Sequence, residues 1–237
     1  TEKTTKKNVQ ALIITPTREL AAQVATSVSN YSAHLNVSSL AVFGGVRIEP
    51  QIAALEQGVD VLIATPGRLR DLHQQNAVCF DQLHTLVLDE ADRMLDLGFI
   101  DDIKEISELL PNKRQTLMFS ATFTDQIKTL ANTMLHEPQL IEVEAANTTV
   151  DNIKQTLYHV DKNQKSNVLI HLLSKHNWQQ VLVFSRTKQG ADALVTTLKE
   201  AGISAESIHA NRTQHARTEA LAAFKNNDIN VLVATDI

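Results

Sequence analysis

Thr85-Leu86-Val87-Leu88-Asp89-Glu90-Ala91-Asp92 is an apolar run that stops on three carboxylates within four positions. A short run that is apolar on both faces suits a central strand of a parallel sheet. Ligands of open α/β sheets gather beyond the carboxyl ends of the strands. A hydrated Mg2+ takes oxygen ligands and keeps several waters, so Asp89 is a candidate to hold one beside a nucleotide's phosphates. Glu90 is the candidate to orient and deprotonate an attacking water, and Asp92 to tie the turn to its neighbours. A solvated acidic turn has the same composition, so the tetrapeptide alone does not settle the reading.

Working outward, similar runs rich in Val, Ile and Leu occur at 11–15, 39–43, 59–64, 115–120 and 140–143. Helical patterns lie between them at 18–35, 49–57 and 101–110. Strand and helix in alternation predict a doubly wound α/β fold. The pattern pauses in the small polar stretch EAANTTVD (144–151), which reads as a linker, and then restarts. Strands are expected at 156–160, 180–185, 204–209 and 230–235, and helices at 163–175, 188–201 and 214–225. Gly202 stands where a helix C-cap belongs. The expected organisation is two parallel-sheet α/β domains, 1–144 and 153–237, joined by a linker at 145–152. The chain opens on Thr1 and stops directly after a strand, so both domains are expected to be incomplete.

A cluster of special residues follows each strand of the first domain. Pro16-Thr17-Arg18-Glu19-Leu20 follows the first, Gly44-Gly45 the second, Thr65-Pro66-Gly67-Arg68 the third, Asp89 to Asp92 the fourth and Ser120-Ala121-Thr122 the fifth. Parallel strands place all five on one sheet edge. Arg18 and Arg68 bring guanidinium groups suited to phosphate. Thr17, Thr65 and glycine amides bring short donors, and helix N-termini favour anions. Such an edge can follow a nucleic-acid backbone without reading bases. Each cluster alone also fits an ordinary turn or loop, and Ser120 or Thr122 would serve to cap the next helix.

The bulk properties set limits. The chain has 237 residues, is 43% hydrophobic, and carries a formal net charge of −5. A domain that binds nucleic acid by bulk charge alone is usually strongly basic, so any such contact is expected to rest on local geometry or on segments outside this sequence. The one cysteine, Cys79, rules out an internal disulfide and fits a reducing compartment, the cytoplasm. No apolar run approaches the roughly 20 residues of a membrane-spanning helix.

Taken in order, these motifs resemble the DEAD-box ATP-dependent RNA helicases, and within them the bacterial RhlE-like group. The matching segments are PTRELAAQ (16–23), VFGG (42–45), ATPGRL (64–69), VLDEADRMLDLGF (87–99), FSATF (119–123), VLVFSRTKQGAD (181–192) and VLVATDI (231–237). The resemblance implies two RecA-like domains that use ATP and Mg2+ and bind RNA across both. It implies Asp89 and Glu90 for Mg2+ and the attacking water, and Asp92 for contact with the Ser-Ala-Thr element. Ser120 and Thr122 are implied in coupling hydrolysis to strand separation. Thr17, Arg18, Gly45, Thr65 and Arg68 are implied as RNA-backbone contacts of the first domain. Ser185, Arg186, Gln214, Arg217, Thr235 and Asp236 are implied in the second. On spacing alone, Gln214 and Arg217 read as an exposed helix start. Ala210 departs from the family, whose members often carry Gly after the His.

No Gly-rich Lys-Thr phosphate loop occurs in the sequence, although its amides and lysine would cradle the phosphates. The family's adenine-recognition segment and its arginine-finger motif are also missing. The 237-residue chain by itself is therefore expected to be inactive as an ATPase. Two other functions fit part of the pattern. One is a DNA helicase or translocase of the same superfamily, distinguished by comparing ATPase stimulation by RNA and DNA. The other is a non-enzymatic RNA-binding factor, disfavoured if a Gly-Lys-Thr loop lies upstream in the parent gene.

Overall fold

Each strand described here is four residues long, and each is extended by ladder hydrogen bonds to a parallel neighbour. The computed structural model describes residues 8–142 and 153–235. The chain divides into two compact units, Thr1–Ile141 and Glu142–Ile237. The linker expected at 145–152 lies outside the described residues.

The first unit runs β1 (Ala11–Ile14), α1 (Arg18–Tyr31), β2 (Ser39–Val42), α2 (Glu49–Glu56), β3 (Val61–Ala64), α3 (Pro66–Gln74), β4 (Thr85–Leu88), α4 (Ala91–Asp96), α5 (Ile100–Glu108), β5 (Gln115–Met118) and α6 (Asp125–Met134). Its sheet is parallel, in the order β2-β3-β1-β4-β5. The β-branched and leucine side chains of the inner strands make the core: Leu12, Ile14, Leu62, Ile63, Leu86 and Leu88 are all completely buried. Burying each of these side chains contributes about 1.5–3 kcal/mol, which holds the backbone ends where the strand-end clusters begin.

The second unit runs α7 (Lys165–His176), β6 (Val181–Phe184), α8 (Lys188–Glu200), β7 (Ala205–Ile208), α9 (Gln214–Lys225) and β8 (Val231–Ala234). Its described strands are also parallel, in the order β6-β8-β7. A smaller core gathers Leu173, Ala191, Leu198, Val231 and Val233. Gly202 follows α8 with φ +77°, and the left-handed turn it permits ends the helix as expected.

Two predicted strands do not form. Leu140 and Ile141 are exposed and carry no strand, and Val143 lies outside the described residues. Residues 156–160 likewise form no strand, with Leu157 and Tyr158 exposed. Both segments have the apolar composition of a strand, but no described strand offers them a ladder, and an unpaired extended segment gains nothing from β propensity. Three helices, α3, α4 and α6, lie outside the ranges assigned from the sequence, although a helix after Ser120 and Thr122 was expected. In α6 the helical period is present at Ile127, Leu130, Ala131 and Met134, all buried, but polar residues interrupt it. The first helix ends at Tyr31 rather than residue 35; the Ser32 amide donates to the Val28 carbonyl and the Ala33 amide to the Asn30 carbonyl.

Candidate functional site

Because the first sheet is parallel throughout, its strand-end clusters share one edge. At β4 the ladder continues one residue further, the Asp89 amide donating to the Ile14 carbonyl at 3.0 Å. The chain then turns at Glu90, which is left-handed (φ 53°, ψ 54°). A glutamate held there is strained by about 1–3 kcal/mol. The turn places the Ala91 amide on the Phe119 carbonyl at 2.9 Å, joining the acidic turn to the end of β5. Glu90 is exposed and Asp89 half-buried.

Asp92 secures the same junction from its side chain. Its Oδ2 accepts from both the amide and the hydroxyl of Thr122, each at 3.1 Å, and its Oδ1 accepts from the Arg93 amide at 3.1 Å. The Ser120 hydroxyl donates to the Thr122 carbonyl at 2.7 Å. Asp92, Ser120 and Thr122 thus form one hydrogen-bonded group. Neither Ser120 nor Thr122 caps the following helix; Thr124 does, accepting from the Ile127 amide.

The second half of this edge is built around the loop after β2. Thr17 caps α1 by accepting from the Leu20 amide at 3.2 Å, which brings Arg18 to the first helical position. The Arg18 guanidinium lies against Gly44 and Gly45, and a Cβ at Gly45 would collide with it. Gly45 also has φ +76°, a conformation that glycine adopts without steric cost. Thr65 is buried at the start of α3, its amide donating to the Val42 carbonyl. Arg68 is only 9% exposed. Its Nη1 donates to Gln51 Oε1 and its Nη2 to the Val46 carbonyl, both at 2.9 Å. Gln51, which the sequence reading missed, in turn donates from Nε2 to the Phe43 carbonyl at 3.1 Å.

In the second unit the Ser185 hydroxyl donates to the Thr187 carbonyl at 3.2 Å. Thr187 caps α8 by accepting from the Gly190 amide at 3.0 Å, and Arg186 is exposed. Lys188 Nζ donates to Asn211 Oδ1 at 2.9 Å. Gln214 and Arg217 are buried, at 8% and 6% exposure. The expectation of an exposed helix start is corrected: the two residues lie on the inward stripe of α9 that continues through Ala220. Thr235 is buried beyond β8, and Asp236 lies outside the described residues. Asp192 was also missed. Its carboxylate accepts from the Ser207 hydroxyl at 2.6 Å and meets His209 Nε2 at 2.9 Å. The bond from Ser207, followed by that from His209, holds the Asp192 carboxyl below its ordinary pKa.

The polar stripe positions carried the missing signal. Gln51 falls among Ile48, Ile52 and Leu55, where helical spacing calls for an apolar side chain. A polar residue at such a position needs a buried partner.

Two parallel α/β units, one bearing a bonded acidic turn and a phosphate-suited loop on a single sheet edge, define a protein of the RecA-like tandem class. The chain belongs to the DEAD/DEAH box helicase family, whose sequence profile matches residues 1–130. The profile described as "Helicase conserved C-terminal domain" matches residues 164–237. The chain is 42% identical to the DEAD-box ATP-dependent RNA helicase CshA of Geobacillus kaustophilus, over 100% of this chain and 51% of the relative. It is 42% identical to the RNA helicase CrhR of Synechocystis, over 97% of this chain and 47% of the relative. Among solved structures it resembles Saccharomyces cerevisiae Dbp5 bound to RNA and ADP BeF3, with a TM-score of 0.85 at 27% identity, covering 97% of this chain and 58% of that one. The chain thus spans about half the length of the curated relatives it matches. No helix among the described residues is long and apolar enough to cross a membrane.

Proposed function

We propose that the intact protein is an ATP-dependent RNA helicase, coupling RNA-stimulated ATP hydrolysis to local duplex unwinding or remodelling of RNA–protein complexes. The observation that carries this reading is the Asp92–Thr122 junction. It ties the turn bearing Asp89 and Glu90 to the end of the neighbouring strand, so a change at one is felt at the other. The names of the relatives, RNA helicases throughout, support the same reading.

In this reading Asp89 holds Mg2+ through water. The residues present fit that mode: Asp89 stands half-buried at the carboxyl end of β4, next to the exposed Glu90. A magnesium bound by one carboxylate and substrate phosphates needs no all-protein cage. Bound there, the ion would neutralise phosphate charge. Glu90, exposed at the turn, orients and deprotonates the attacking water. Ser120 and Thr122 pass the state of the site along the sheet edge. Thr17, Arg18, Gly45, Thr65 and Arg68 form the RNA-backbone region of the first unit. Ser185, Arg186, Gln214, Arg217, Thr235 and Asp236 form that of the second. The single cysteine supports a cytoplasmic location, and the wording VLDEADRMLDLGF supports the finer placement in the RhlE-like group.

The test is Mg-dependent ATP turnover by the intact protein with and without single-stranded RNA. Glu90→Gln is expected to lower the RNA-stimulated rate by about 10²–10⁴, the usual contribution of a general base. Undiminished turnover in that variant refutes the assignment of Glu90. Equal stimulation by DNA and RNA refutes the RNA reading.

A further inference from the structure

We infer that Gln51 is a positioning residue that holds the glycine loop after β2 in the form that meets RNA; the inference rests on the RNA reading above. The loop Phe43-Gly44-Gly45-Val46 has two carbonyls at its ends, and each is held by a buried polar side chain. Gln51 Nε2 takes the Phe43 carbonyl directly at 3.1 Å. Arg68 Nη2 takes the Val46 carbonyl at 2.9 Å, and Arg68 is itself oriented by the bond from its Nη1 to Gln51 Oε1 at 2.9 Å. One amide group therefore fixes both ends of the loop, one by contact and the other through Arg68.

Burial makes these bonds obligatory. Gln51 and Arg68 are each 9% exposed, so water is poorly placed to replace a lost partner. The segment between the two held carbonyls includes Gly45, which is exposed and left-handed. A glycine loop without such anchors samples many conformations, and each must be lost on binding phosphate. Holding the ends in advance removes that cost. Arg18, lying against Gly44 and Gly45 from α1, gains a fixed seat by the same device. Arg68, with both terminal nitrogens donating to protein acceptors, acts here on the loop. Gln51 touches neither nucleotide nor reacting atoms in this scheme, so its effect falls on RNA affinity and leaves the chemical step alone.

The experiment uses the intact protein and Gln51→Met, which keeps the side-chain length and burial but makes neither bond. The RNA concentration giving half-maximal ATPase stimulation is expected to rise about tenfold, the equivalent of one or two lost buried hydrogen bonds. The kcat at saturating RNA and the KM for ATP are expected to stay within about twofold. Without RNA, amide exchange at residues 44–46 is expected to quicken while exchange in β1, β3 and β4 is unchanged. Gln51→Glu, which keeps an acceptor for Arg68 but cannot donate to Phe43, is expected to fall between the two. An unchanged RNA response with unchanged loop exchange overturns the inference. So does a loss spread equally over kcat, ATP KM and sheet protection, which marks a general structural role. If the unaltered protein ignores RNA, the functional reading fails by itself, and loop exchange still decides whether Gln51 holds the loop.

Discussion

The segment β1-α1-β2-α2-β3 and the segment β6-α8-β7-α9-β8 are built alike, with sheet orders β2-β3-β1 and β7-β8-β6. The likeness extends to single residues. Thr17 and Thr187 cap the first helix of each, and Ala21 and Ala191 sit fully buried four residues further on. Ser38 and Ser204 receive, on carbonyl and hydroxyl, the amides that open β3 and β8. Thr65 and Thr235 close those strands with bonds to the Val42 and Ile208 carbonyls. What differs is the loop after the second strand of each segment. In the first, a glycine pair lies beneath Arg18 and is anchored by Gln51 and Arg68. In the second, Asn211 binds Lys188 while a buried His209 binds Asp192. A shared backbone frame thus carries two different loop anchors, and site chemistry changes without changing the fold.

The largest difference expected between the segments is in their cores. Leu62 and Leu232 occupy the same place in β3 and β8, but Leu62 belongs to the large first core and Leu232 to a small cluster with Ile208, Ala220 and Ala234. Leu62→Ala is expected to destabilise the first unit by about 3–5 kcal/mol, and Leu232→Ala the second by nearer about 2 kcal/mol, because a thin core collapses onto the cavity more readily. Hydrogen exchange resolved by unit measures both. Equal losses would mean that the two cores are equally rigid.

The next effect concerns the loops themselves. Gly45→Ala places a Cβ both in left-handed backbone and against the Arg18 guanidinium, and is expected to cost about 1–3 kcal/mol. Asn211→Ala removes one exposed bond to Lys188 and is expected to cost under about 0.5 kcal/mol. Urea titration of each variant checks the ratio. A costly Asn211→Ala would show that the second loop is as tightly held as the first.

The inner strands were legible because an apolar run with no alternation has few other uses. The edge position of the Asp89, Gly45 and Thr65 clusters followed from parallel order alone. The false strands at 140–143 and 156–160 had the right composition, but pairing is a property of the partner, which local sequence does not contain. The burial of Arg68 was hidden for a similar reason: its acceptor, Gln51, lies 17 residues away on another helix. Gln214 and Arg217 were visible as a spaced pair, yet their inward orientation depends on how α9 rests on β7 and β8. Polar residues on apolar stripes were the readable clue in both helices.

The smallest effect is a pH dependence confined to the second segment, where a carboxylate does the anchoring. Asp192 titrates below its ordinary value because the Ser207 hydroxyl, and then His209, favour the charged form. Arg212, itself paired with Glu206, adds to that field. A carboxyl with a depressed folded pKa contributes stability that is complete above the unfolded value of about 3.9 and is lost as pH falls through the folded value. Asp192→Asn is therefore expected to weaken the second unit slightly at neutral pH, and the difference is expected to shrink as pH falls below the unfolded value and through the folded one. The protein has one tryptophan, Trp178, and it lies in the second unit, so its fluorescence in urea titrations at several pH values reports that unit. The first segment has no matching carboxylate: Ala22 stands where Asp192 does, counted from the capping threonines. If the gap between the unaltered protein and Asp192→Asn does not shrink at all as the pH is lowered through the acid range, Asp192 acts by shape rather than charge. The two loops would then differ less in their physics than in their residues.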